Sequence, residues 1–148
     1  MSKLYIVDTC ALISYFADVF IGSNVSISKK ALKIIDEGFS SDRIKLIFPT
    51  AVFIELFDKW FKNAEDAEKI KSEVYLRIKS KDNMEIQPFD KEILGNFIQI
   101  IDIDKKFNFD NRDKQILAAA ITMNCTLITS DARIIKYNEK QKRIPILS

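Results

Sequence analysis

Four carboxylates stand where strand-like runs end or a helix begins: Asp8 directly after the apolar run 4–7, Glu55 in the helical stretch after residues 44–48, Asp113 in the first turn of a helix, and Asp131 just past residues 126–129. Carboxylates gathered at one place repel each other, so they either raise one another's proton affinity or require a cation. A hard divalent ion with oxygen ligands meets that requirement. Magnesium takes one or two protein carboxylates, keeps several waters and adds substrate phosphate. Such a site can polarise a phosphate, activate water and stabilise a leaving oxygen. Histidine is not needed, and the chain has none. Its absence excludes Ser-His-Asp and Cys-His catalysis, histidine general bases and zinc–histidine sites.

The elements that must position these acids follow from periodicity. Residues 4–7 read as a short buried strand, and Ala11, Leu12, Tyr15 and Phe16 as the apolar face of a helix. Residues 21–28 are a polar loop. Ser28 is placed to cap a helix carrying Leu32 and Ile35, with Gly38 expected at its C-terminal end. Residues 44–48 form a second strand, and Pro49-Thr50 opens a helix through Val52, Phe53, Leu56, Phe57 and Trp60. Ala67, Ile70, Val74, Tyr75 and Ile78 fit a further helix. Residues 85–87 suggest a third strand, and Asp90 caps a helix with Ile93, Leu94, Phe97, Ile98 and Ile101. Another helix begins near Asp110 and carries Ile116, Leu117, Ala120 and Ile121, and strands at 126–129 and 144–147 complete the set. Short apolar strands separated by helices imply a mostly parallel, five-stranded sheet covered on both faces, an α/β fold of three α/β/α layers. In open parallel sheets ligands bind outside the carboxyl ends of the strands. That edge receives Asp8, Glu55 and Asp131 from separate connections, while Asp113 faces the positive end of its own helix.

At 148 residues the chain reads as one domain, 1–148, large enough to bury a real core. The net charge of +2 is too near neutral to argue for a nucleic-acid partner. Cys10 and Cys125 have neither metal spacing nor the look of a disulfide framework, so a cytoplasmic setting is the simpler reading. The N-terminal segment lacks the regions of a signal peptide, and no apolar run approaches the ~18 residues of a membrane span.

Val7-Asp-Thr-Cys-Ala-Leu-Ile13 resembles the opening of PIN domains, where a strand ends in Asp followed by a hydroxyl residue. Phe48-Pro-Thr-Ala-Val-Phe-Ile-Glu55 resembles their second motif, Asn111-Arg-Asp113-Lys-Gln-Ile-Leu-Ala-Ala-Ala120 their third, and Leu127-Ile-Thr-Ser-Asp131 their fourth. Each is weak alone, but the four stand in the family's order and span nearly the whole chain. The pattern is similar to VapC-like toxins of toxin–antitoxin pairs. The resemblance implies strand order 3-2-1-4-5, an endoribonuclease dependent on Mg2+ or Mn2+, and Asp8, Glu55, Asp113 and Asp131 as catalytic and metal-binding residues. It further implies an RNA substrate, a small antitoxin partner and a homodimer. Lys114 stands where arginine is frequent, Asn124 where glycine is frequent, and Cys10 where a small polar residue is usual. None of these removes an acid.

Plainer roles are open to the same residues. Asp8 could be a solvated strand end. Glu55 falls on a helical wheel with Asp58, Lys59 and Lys62, which suits an exposed residue paired at i+4. Asp110 competes with Asp113, and the family register favours Asp113, leaving Asp110 as cap or outer-sphere residue. Asp131 could cap a helix over 132–137, and Thr9, Thr129 and Ser130 could orient the acids or simply bond local backbone. Lys136, Lys140, Lys142 and Arg143, with Tyr137 among them, and Arg112 and Lys114 read as solvated surface or as phosphate contacts. Phe16, Phe20, Phe53, Phe57 and Trp60 read as core or interface. Two other functions compete with the nuclease: a catalytically inactive PIN-like module binding RNA or protein, and a haloacid dehalogenase-like phosphatase with Asp8 as nucleophile. The phosphatase would need a second acid where Cys10 stands.

Overall fold

A computed structural model describes residues 3–101, 109–141 and 144–148. Five strands, β1 (Lys3–Val7), β2 (Ile44–Pro49), β3 (Met84–Gln87), β4 (Thr126–Ile128) and β5 (Ile146–Leu147), form one sheet in the order 3-2-1-4-5, with every neighbouring pair parallel. Successive residues Ile6 and Val7, and likewise Leu46, Ile47 and Phe48, are fully buried. Neighbouring strand residues point to opposite faces, so both faces of the sheet are covered, as the continuous apolar runs predict.

The helices are α1 (Thr9–Tyr15), α2 (Lys29–Ser40), α3 (Thr50–Trp60), α4 (Ala64–Ile70), α5 (Leu76–Lys79), α6 (Lys91–Gln99), α7 (Asn111–Met123) and α8 (Ala132–Gln141). Their caps follow the sequence: Ser28 accepts from the Ala31 amide and Asp90 from that of Ile93. Between α4 and α5 the chain widens over Lys71–Tyr75, where the Leu76 amide reaches back five residues to the Lys71 carbonyl. The wide turn divides the single helix read from periodicity. It keeps Ile70, Val74 and Ile78, spaced by four, all buried.

Gly38 corrects the sequence reading. It does not end α2, which continues to Ser40 with Ser41 as its cap. An added Cβ there would lie 2.5 Å from Leu46 Cδ1, so the glycine allows α2 to close on β2. The left-handed position is instead Asn124, φ 49°, which ends α7 ahead of β4. Asparagine tolerates that conformation better than most residues, which accounts for its place where glycine is frequent.

Register sets the edge that matters. Val7 pairs with Ile128, and Ile6 with both Ile47 and Leu127. The carboxyl ends of β1, β2 and β4 are therefore level, and the segments leaving them start side by side.

Candidate metal centre

Asp8 leaves β1 as the N-cap of α1, and its carboxylate is held on three sides. Oδ1 accepts from the Thr9 amide at 2.7 Å, while Oδ2 accepts from Thr129 Oγ1 at 2.6 Å and Cys10 Sγ at 3.4 Å. Burial pushes its proton affinity above the ordinary aspartate value and the Glu55 charge adds to the effect, against the pull of these three donors. The surroundings of Cys10 disfavour the thiolate that a nucleophile needs. Burial and the Asp8 charge push its thiol up to about 12, and its sulfur accepts from the Ser130 amide. A neutral thiol thus occupies the place of a phosphatase's second acid.

Glu55 departs from its helical-wheel position. It is 6% exposed, because α3 packs against α7 as well as β2. Lys59 approaches it at 3.7 Å, so the i+4 pair forms with one buried partner. Farther along the same flank, Asp58 pairs with Arg112 of α7, which occupies that arginine structurally.

The start of α7 brings up two acids through a reciprocal cap. Asp110 Oδ1 accepts from the Asp113 amide at 2.9 Å, and Asp113 Oδ2 accepts from the Asp110 amide at 3.2 Å. Oxygens of Glu55, Asp110 and Asp113 all lie within 4.8 Å of one another. Burial first, then the charges of Asp110 and Asp131, carry the Asp113 carboxyl up to about 7, although the Asp110 amide and Arg133 oppose the rise.

Asp131 reaches this group through Arg133. Its Oδ1 accepts from the Arg133 amide at 2.9 Å and Nε at 3.1 Å, and its Oδ2 accepts from Nη2 at 2.7 Å. The same Nη2 lies 3.2 Å from Asp113 Oδ2. Burial works against ionisation of Asp131, yet the hydrogen bonds from Arg133 hold its carboxyl below the ordinary value.

The four expected acids therefore occupy one edge but not one donor set. Glu55 and Asp113 meet, joined by Asp110, which the sequence reads as a cap and which here also closes the three-oxygen group. Asp8 adjoins on the Glu55 side, and Asp131 on the Asp113 side. Arg133 escapes a sequence reading. Its signal is a basic residue two positions past a site acid, within reach of that acid's carboxylate. An all-oxygen donor set, with one member of raised proton affinity, suits a hard divalent cation. Thr9 Oγ1, next to Asp8, is buried with no hydrogen-bond partner among the described residues, so the edge also holds polar capacity that the protein itself does not use.

The basic stretch, which reads in sequence as solvated surface or as phosphate contacts, presents fewer exposed groups than its sequence offers. Tyr137 is buried against Phe109 at 5.9 Å between ring centroids, and Lys114 reaches the Ile101 carbonyl. Lys136 is exposed, while Lys142 and Arg143 lie outside the described residues. Phe16 and Phe20 are core. Phe53 and Phe57, with exposed Ile54 and Phe61, line an apolar groove of about 790 Å³ between α3 and the α4 segment.

The family model for the PIN domain matches residues 5–140. The chain belongs to the PIN domain family. Its members are in general nucleases. The PIN fold here is shared with solved structures of low sequence identity. FitAcB from Neisseria gonorrhoeae is 14% identical, with TM-score 0.65, over 97% of this chain and 96% of that one. VapBC2 from Rickettsia felis, bound to a DNA fragment from the promoter, is 14% identical, with TM-score 0.66, over 97% of both chains. VapBC-1 from nontypeable Haemophilus influenzae is 18% identical, with TM-score 0.63, over 99% of this chain and 98% of that one. A comparison with curated protein sequences gives no match. Among the described residues, no helix of this PIN domain is long and apolar enough to cross a membrane.

Proposed function

We propose that this PIN domain is an endoribonuclease dependent on Mg2+ or Mn2+, the toxin of a toxin–antitoxin pair, with Asp8, Glu55, Asp113 and Asp131 as its catalytic carboxylates. The observation that carries the reading is the meeting of Glu55, Asp110 and Asp113 oxygens within 4.8 Å at the carboxyl edge of the sheet. Glu55 and Asp113 would hold the ion with Asp110. When bound, the ion supplies Lewis acidity toward a phosphodiester and lowers the proton affinity of attacking water. Asp8, buried beside Glu55, keeps a carboxylate on the β1 side of the cluster to orient that water. Thr129, whose hydroxyl donates to Asp8 at 2.6 Å, fixes the carboxylate's rotamer. Asp131 sets the far side through Arg133.

Among the similar solved structures, one from Klebsiella pneumoniae is a toxin–antitoxin complex, and VapBC2 from Rickettsia felis is bound to a DNA fragment from the promoter. The groove lined by Phe53, Ile54, Phe57 and Phe61 suits the apolar face of a small antitoxin helix. Exposed Leu94 and Ile98 on α6, with Phe89 and Ile101 nearby in sequence, suit a second copy of the chain, which supports a homodimer.

The test is incubation of purified protein with a mixed structured RNA pool and Mg2+ or Mn2+, beside EDTA and folded Asp8→Asn and Glu55→Gln controls. Cleavage lost in all three controls is expected. Cleavage that survives EDTA and both substitutions would overturn the carboxylate mechanism.

A further inference from the structure

We propose that Arg133 is a built-in counter-cation standing in the place of a second metal ion, so that the cluster takes a single divalent ion at Glu55, Asp110 and Asp113 while Asp131 anchors the arginine. The inference rests on the reading of the cluster as a metal centre.

Two-metal nucleolytic sites hold their ions about 3.5–4 Å apart, bridged by shared carboxylates. In this cluster the shared carboxylate is Asp113. Its carboxylate belongs to the group with Glu55 and Asp110. It also faces Arg133, whose Nη2 lies 3.2 Å from Asp113 Oδ2, the oxygen that accepts from the Asp110 amide, and 2.7 Å from Asp131 Oδ2. The guanidinium therefore bridges two carboxylates where a second ion would have to bridge them.

The bridge is held firmly. Both oxygens of Asp131 accept from Arg133, through Nε and Nη2, and Oδ1 also accepts the Arg133 amide. The planar fork matches a carboxylate better than a point charge does. Arg133 begins the second residue beyond Asp131, in the first turn of α8, so the tether closes over a very short segment and little chain entropy opposes it. A divalent ion entering between Asp113 and Asp131 would have to displace a fixed positive charge and its three bonds to Asp131. An ion entering at Glu55, Asp110 and Asp113 competes with the looser Lys59 contact, 3.7 Å from Glu55, and leaves the three bonds between Asp131 and Arg133 intact.

The guanidinium also lowers the negative charge available to that single ion. Its removal should tighten the first site as well as open the second. A unit charge a few ångströms from a divalent ion, even heavily screened, changes binding by roughly ten-fold or more.

Mn2+ binding by calorimetry and by loss of the free-ion electron paramagnetic resonance signal, without RNA, tests the assignment on the wild type, Arg133→Gln, Arg133→Lys and Glu55→Gln, each checked for folding by circular dichroism. The wild type should take one Mn2+ per chain, Arg133→Gln two with the first at least roughly ten-fold tighter, Arg133→Lys one again, and Glu55→Gln none at that affinity. Two ions in the wild type, or an Arg133→Gln protein that binds one ion with wild-type affinity, would overturn the role of Arg133 and leave the metal centre standing. A wild type that binds no Mn2+ would remove the metal centre itself, and the role of Arg133 with it.

Discussion

Replacing Asp113 with asparagine should move stability in opposite directions with and without a divalent ion. The structure carries the Asp113 carboxyl from 3.8 to about 7, chiefly by burial and then by the charges of Asp110 and Asp131. Each tenfold displacement of a proton equilibrium is worth about 1.4 kcal/mol, which bounds the burden of the ionised carboxylate in the ion-free fold near 4 kcal/mol. Solvent screening and the lost contact with Arg133 reduce that bound, so Asp113→Asn should gain about 1–2 kcal/mol in EDTA at pH 8. The sign follows from the protonation states. A carboxyl whose folded value is raised binds its proton more tightly in the fold. Its stabilising contribution is complete below the unfolded value near 3.8 and disappears as the pH rises through about 7. Asparagine has no such dependence, so the difference between the two proteins isolates this one group. With Mn2+ at about a hundred times its dissociation constant, the wild type should gain about 2.7 kcal/mol that the variant does not share, and the order reverses. Urea denaturation of both proteins from pH 4 to pH 8, in EDTA and in Mn2+, measures all of this. A variant less stable than the wild type in EDTA at pH 8, or one with the wild-type pH slope, would refute the reasoning.

Glu55→Gln should reduce Mn2+-dependent RNA cleavage by about 100-fold or more, measured under single-turnover conditions, while the circular dichroism spectrum stays unchanged. Asn83 Nδ2 donates to the carbonyls of Gly38 at 2.7 Å, Ser41 at 2.9 Å and Ile44 at 2.8 Å, tying the end of α2 to β2. Asn83→Ala leaves those acceptors without this donor and should destabilise by about 2 kcal/mol, read as a lower urea midpoint. Gly38→Ala should destabilise by about 1–2 kcal/mol despite alanine's better helix propensity, because its Cβ would press on the fully buried Leu46 side chain. A thermal midpoint equal to or above the wild type's would refute that packing argument.

The sequence by itself determined the strands, their parallel pairing and the edge on which the acids fall, because these depend on local chemistry. Short runs of consecutive apolar residues such as Ile6-Val7 and Ile47-Phe48, too brief for a helix and rich in β-branched residues, suit a strand covered on both faces, and all four residues are buried. Ser28 and Asp90 cap helices through side chains that reach their own backbone a few residues on, so their roles are written within short segments. Asp8 and Asp131 follow strands whose ends are level by register, and family motifs in order make the choice of acids legible. What depended on distant packing was not legible. Glu55 belongs to the polar side of an isolated helix and is buried only because α3 meets α7. Gly38 carries the composition of a helix end, yet its task is set by Leu46, a residue on another element. Asp110 looks like a cap and is one, but a capping oxygen becomes a candidate ligand only when Glu55 arrives from a separate helix. Arg133 is the sharpest case. Its contact with Asp131 is local, whereas its contact with Asp113 exists only because the starts of α7 and α8 are brought to one edge of the sheet. Side-chain type and spacing specify which groups are charged, and only the tertiary fold decides which of those charges must share one another's space.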